Sequence, residues 1–141
     1  MRGKGSRYNR IIVRMYDILK KFWRKGDSFN TIPSSQFYDH ISLVKVEWWL
    51  SWCHEWPELY WARIRHFSDG KADVLFQDET KLFGFDDLDS SRNFVSEDEF
   101  SNLEHMDVED LRDISIPEDT VIETPNWESK QEFAFEYIGK Y

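Results

Sequence analysis

The sequence predicts an α+β protein: a small antiparallel sheet with helices packed on one face, preceded by a basic amphipathic N-terminal helix. Three observations carry that prediction. Residues 8–24 repeat apolar side chains at helical spacing, residues 59–76 form two strand-like runs around an Asp-Gly turn, and residues 131–138 alternate apolar with acidic side chains. A length of 141 residues fits one domain with a real core, and an aromatic content of 17% argues for a packed rather than disordered chain.

The helix over residues 8–24 places Tyr8, Ile11, Ile12, Met15, Tyr16, Leu19, Phe22 and Trp23 on one face. Arg10, Arg14, Lys21 and Arg24 fall on the other, and Gly26 stops the helix. Residues 1–25 hold nine Lys/Arg against the single acid Asp17, a balance of +8. The remainder holds nine basic and 26 acidic residues, a balance of −17 within a net charge of −9. The acidic body repels nucleic acid and anionic lipid, whereas residues 1–25 attract either, or lie on the acidic body of their own chain. Residues 26–35, rich in Gly, Ser, Asn and Pro, read as a linker to a domain over 36–141.

Residues 42–56 are the most apolar stretch. Leu43, Val46, Trp49, Leu50 and Cys53 form one helical stripe, and Val44, Trp48, Trp52 and Trp56 a second, which predicts a helix buried on two sides and ending before Pro57. A strand over Leu43–Trp48 is the alternative, because β-branched and aromatic residues suit one. Next come strands over 59–67 and 71–76, joined by Ser68-Asp69-Gly70, and a short strand over 82–85. Residues 86–106 read as mostly helical, capped by Asp89 or Ser90, with Ser96 and Glu99 as a capping box should the helix restart. Residues 107–114 form another short helix, and Pro117 and Pro125 punctuate an exposed connection to the strand at 131–138.

A resemblance attaches to particular residues. The run from Trp61 to Phe67, then Asp69-Gly70-Lys71-Ala72-Asp73-Val74, Gly84-Phe85, Ser96-Glu97-Asp98-Glu99-Phe100 and the closing Phe135 to Tyr141 resemble small bacterial domains of unassigned function. In those domains a hairpin precedes a "GF" strand and a helix ending in "EDEF". The resemblance implies a shared hairpin–strand–helix unit over roughly half the chain and implies no activity.

Chemical signatures are few. His40, His54, His66 and His105 show no i, i+4 pair, and Cys53 stands alone, so no metal site is expected. The acid run Asp86 to Arg92 puts Arg92 where a calcium loop needs glycine. No phosphate-cradling glycine pattern and no Gly-x-Ser-x-Gly elbow occur, so no cofactor and no nucleophilic site are expected. The absence of an uncharged leader core or of about 18 consecutive apolar residues points to the cytoplasm.

The function expected is therefore a non-enzymatic interaction protein, offering an acidic surface with exposed aromatics to a protein partner that is itself basic. An inhibitor or immunity-type protein is one concrete version. The candidate contact residues are Trp48, Trp52 and Trp56, together with Glu97, Asp98, Glu99 and Phe100. Five tryptophans between positions 48 and 61 exceed what one small core buries. The alternatives are a small hydrolase-like enzyme using clustered carboxylates, and a peripheral anchor acting through residues 1–25.

Overall fold

A computed structural model describes residues 32–127 and 134–141. The basic N-terminal helix and most of the linker expected at 26–35 lie outside these residues, as do positions 131–133 of the closing strand.

Six strands form one sheet in the order β5-β1-β2-β3-β4-β6. They are β1 (Leu43–Ser51), β2 (Trp61–Phe67), β3 (Ala72–Phe76), β4 (Lys81–Phe85), β5 (Phe100–Asn102) and β6 (Ala134–Gly139). All described pairings are antiparallel except β4–β6, which is parallel. Among the described residues the helices are α1 (Ser34–Phe37), α2 (Leu88–Glu97) and α3 (Val108–Asp113), with a 3-10 turn at Leu103–His105. The α+β class read from the sequence is thus the class of the fold.

The hairpin forms where the Asp-Gly pair requires it. Gly70 takes φ +92°, a region open to glycine, and Asp69 Oδ1 accepts from the Lys71 N–H at 3.1 Å. Register then divides the side chains between two faces. On the first, Ala62 opposes Phe76 and Ile64 opposes Val74. These pack with Phe83, Phe85 and with Phe94 and Val95 of α2. On the second, Leu50 opposes Trp61, Trp48 opposes Arg63, and Arg65 opposes Asp73. Here Leu50 and Trp61 pack with Ile114 and Ile116, which follow α3, and with Trp48, Trp52, Leu111 and Trp127 around them.

The expected helix over 42–56 is corrected to strand β1 followed by turns. The strand splits the first of the two expected stripes between its faces: Trp49, with Glu47, is buried on the first face and Leu50 on the second. A strand covered on both sides reads as a continuous apolar run and loses the alternation that marks a half-buried one. The helix expected over 86–106 is likewise shorter. Asp87, rather than Asp89 or Ser90, caps α2 by accepting from the Ser90 N–H at 2.7 Å. The helix stops at Glu97, Glu99 takes φ +63°, and Phe100–Asn102 joins the sheet edge beside β1. The capping box is found at Asp107 and Asp110 of α3 instead of Ser96 and Glu99.

Candidate functional site

Three connections meet at the end of the sheet where β2 begins and β3 ends. They are residues 52–60, residues 77–80, and the extended segment after Ile116. The Gln77 N–H donates to Trp61 O and the Trp61 N–H to Gln77 Oε1, both at 3.0 Å, which ties the first two together. The Trp56 N–H donates to Ile114 O at 2.9 Å and so holds the first against the third. Between them runs a groove of about 530 Å³ whose walls include Trp56, Pro57, Trp61, Val121, Ile122 and Trp127.

The groove is aromatic at its base and apolar at its lip. Trp61 is buried, and its ring meets Trp48 edge-on at 5.9 Å. Trp48 in turn meets Trp127 edge-on at 4.9 Å. Such edge-to-face contacts fix indoles in place and leave their remaining faces available. Trp56 is 36% exposed and Val121 84% exposed, large apolar surfaces held in water beside one another. The rim is acidic. Residues 52–60, 77–80 and 115–127 carry Glu55, Glu58, Asp78, Glu79, Glu118, Asp119 and Glu123, and no Lys or Arg. Glu123 is itself part of the wall, while Glu118 is engaged by Arg112 of α3 at 3.0 Å.

The expected contact residues divide. Trp48 and Trp52 are half-buried against the cluster behind the groove, and Trp56 forms its wall. They share this region because β1 runs into the connection beside it, not because they form a helical stripe. The Trp52 indole N–H donates to Ser101 Oγ at 2.6 Å, which commits that edge to β5. Glu97 and Glu99 lie elsewhere, at the end of α2, where Glu97 accepts from the Tyr141 hydroxyl and Glu99 from Cys53 Sγ at 3.3 Å. Asp98 is 9% exposed. Phe100 is buried between Tyr60 and Phe76, 5.8 and 5.5 Å from their ring centres, and serves the core rather than the surface. Sequence reasoning missed Val121, Ile122 and Trp127. Their signal was two apolar residues in the acidic stretch between Pro117 and Pro125, followed by a tryptophan two residues past Pro125.

Elsewhere two buried carboxylates of the sheet, Glu47 and Asp73, are matched by donors. On the first face Glu47 accepts from Arg92 and from the Trp49 indole at 3.2 Å. Burial alone pushes the Glu47 carboxyl up, but these donors outweigh it and hold it below its usual range. On the second face fully buried Asp73 accepts from Arg65 at two oxygens and from the Tyr38 hydroxyl at 2.7 Å. Burial, and then the Asp73 carboxylate, push the Tyr38 phenol well up, so it stays a neutral donor. Among the described residues no group of three His, Cys, Asp or Glu is placed to hold a metal ion, and no helix is long and apolar enough to cross a membrane.

Comparison of the chain with known protein families, curated proteins and solved structures finds no match.

Proposed function

We propose that the protein is an interaction module whose tryptophan-walled, acid-rimmed groove takes a basic segment of a protein partner. The groove itself carries this reading: exposed Trp56 and Val121 beside Trp127 offer apolar anchorage, Glu123 is part of the wall, and the described stretches around it, 52–60, 77–80 and 115–127, carry acids and no Lys or Arg. Carboxylates around an apolar slot steer a Lys/Arg-bearing segment toward it, and burial of an apolar side chain against the indoles then retains it. Inhibition of a basic protein, in the manner of an immunity protein, is one use of such a surface. The clustered carboxylates that a hydrolase would use, Glu97, Asp98 and Glu99 with Glu104, are not among the groove walls; Glu97 accepts from Tyr141, Glu99 from Cys53, and Glu104 pairs with Lys45.

Peptides selected for binding from a displayed random library test this reading. The expected sequences carry an apolar residue flanked by Lys or Arg, and W56A weakens them by about thirtyfold, which at about 1.4 kcal/mol per tenfold matches an anchor of roughly 2 kcal/mol. Selected sequences without basic residues, or equal binding to W56A, would refute it.

A further inference from the structure

Arg63 stands out against the pairing elsewhere in the sheet. It lies in the middle of β2 on the second face, opposite Trp48 on one side and Leu75 on the other, with Trp61 and Arg65 two residues away on the same face. It is only 9% exposed. Its Nε–H is enclosed and meets no acceptor. Among the described residues no hydrogen bond or ion pair reaches its guanidinium. Asp73, whose charge acts on Arg63, is already held by Arg65 and Tyr38. A cation enclosed without a counter-charge is costly, and the cost is removed by an anion that reaches its donors.

The charge balance on that face defines the anion. Among the described residues of that face, two guanidiniums, Arg63 and Arg65, stand beside one carboxylate, Asp73, and the Tyr38 hydroxyl stays neutral, so the cations outnumber the carboxylate by one. Burial, and then the neighbouring Arg65, make the Arg63 charge harder to hold, which an added anion reverses. A monocarboxylate cancels the excess; a phosphate dianion replaces it with an excess of the opposite sign. A carboxylate also matches the planar fork of a guanidinium, and the residues opposite Arg63 on the two neighbouring strands, Trp48 and Leu75, are apolar, as the tail of such a ligand would require.

We infer that Arg63, flanked by Trp48 and Leu75 on the second face of the sheet, is the anchoring residue of a binding site for a small apolar monocarboxylate. Arg63 itself is not among the groove walls, although Trp48 packs on two of them, Trp61 and Trp127. It stands whether or not the groove binds a basic partner.

Hexanoate is the probe, titrated into the full chain at constant ionic strength, with inorganic phosphate and chloride in parallel. The readout is the Arg63 Nε–Hε resonance, assigned by its loss in R63Q. Hexanoate should shift it saturably, phosphate only at higher concentration, and chloride not at all. In R63Q the hexanoate affinity, followed on the Trp48 indole N–H, should fall about tenfold, as expected for loss of a charged hydrogen-bond donor. R63K keeps the charge without the fork and should fall in between. An Arg63 resonance that does not respond to hexanoate overturns the proposal, as does phosphate saturating before hexanoate. A shift of that resonance in ligand-free E128Q/E132Q, with an equal loss of stability in E128Q/E132Q and R63Q, would assign the counter-charge to the chain's own carboxylates and equally overturn it.

Discussion

At the scale of single residues, Gly84 is where the smallest change has a large expected consequence. A Cβ built there would lie 2.5 Å from the Phe135 ring and 2.9 Å from the Phe37 ring. Phe37 is fully buried, and its ring lies 5.0 Å from that of half-buried Phe135, so the Phe37 ring has little room to withdraw. Gly84→Ala should therefore destabilise by roughly 1–3 kcal/mol, as overpacking does, and lower the urea midpoint. An unchanged midpoint would show that the α1–β6 contact yields. Glu47 supplies a pH signature at the same scale. Its folded carboxyl is held below the ordinary value of about 4.3, so the unfolded chain takes up the proton first as pH falls. The stabilisation is complete above that range and disappears as pH drops through the folded pKa. Stability of E47Q, followed by thermal melts from pH 7 to pH 3, should fall less steeply on the acid side than that of the parent. Parallel curves would remove Glu47 from the account.

Between residues and fold, the elements differ in what holds them. The α2 helix is anchored by Phe94 and Val95 against the sheet and begins at the Asp87 cap. Asp87→Ala should cost about 1 kcal/mol of unfolding free energy by loss of the cap, read from urea curves; Asp87→Asn should recover most of it. If both variants match the parent, packing alone sets the helix start. β1 depends almost wholly on its neighbours, with β2 along its length, β5 at its end, and apolar cover on both sides. That dependence is why local periodicity misassigned it. Val44, Val46 and three aromatic or aliphatic residues after Glu47 favour a strand, yet the same run satisfies a helix buried on two sides.

For the whole molecule, charge and aromatic placement act together. The acidic connections around Trp56 should concentrate cations and repel anions at that indole. Caesium should therefore quench Trp56 fluorescence more strongly than iodide at low salt, and the difference should shrink as added salt screens the rim beyond about 8 Å at physiological ionic strength. W56F should remove most of that difference. Equal quenching by the two ions at low salt would mean that the rim does not act on the groove, and the steering argument would lose its basis.

Several features were settled by local chemistry and were readable in the sequence. The hairpin follows from Asp69-Gly70, because glycine alone reaches the turn's positive φ without strain. The short 81–85 and 108–113 elements and the alternation at Phe135 and Tyr137 follow from patterns a few residues long. The acidic character of the body and the surplus of indoles over what the core takes were equally legible, and Trp56 is an indole that reaches the surface. The groove was not, because its walls come from positions 56–61 and 121–127, which meet only when the chain after α3 lies across the second face. Phe100 could not be separated from a surface anchor for the same reason: its burial depends on Tyr60 and Phe76, distant in sequence. Nor could Arg63, one arginine in an alternating strand, be told from its neighbour Arg65. Only the register that sets Asp73 opposite Arg65, and Trp48 and Leu75 opposite Arg63, decides which guanidinium is matched and which is left with its charge enclosed.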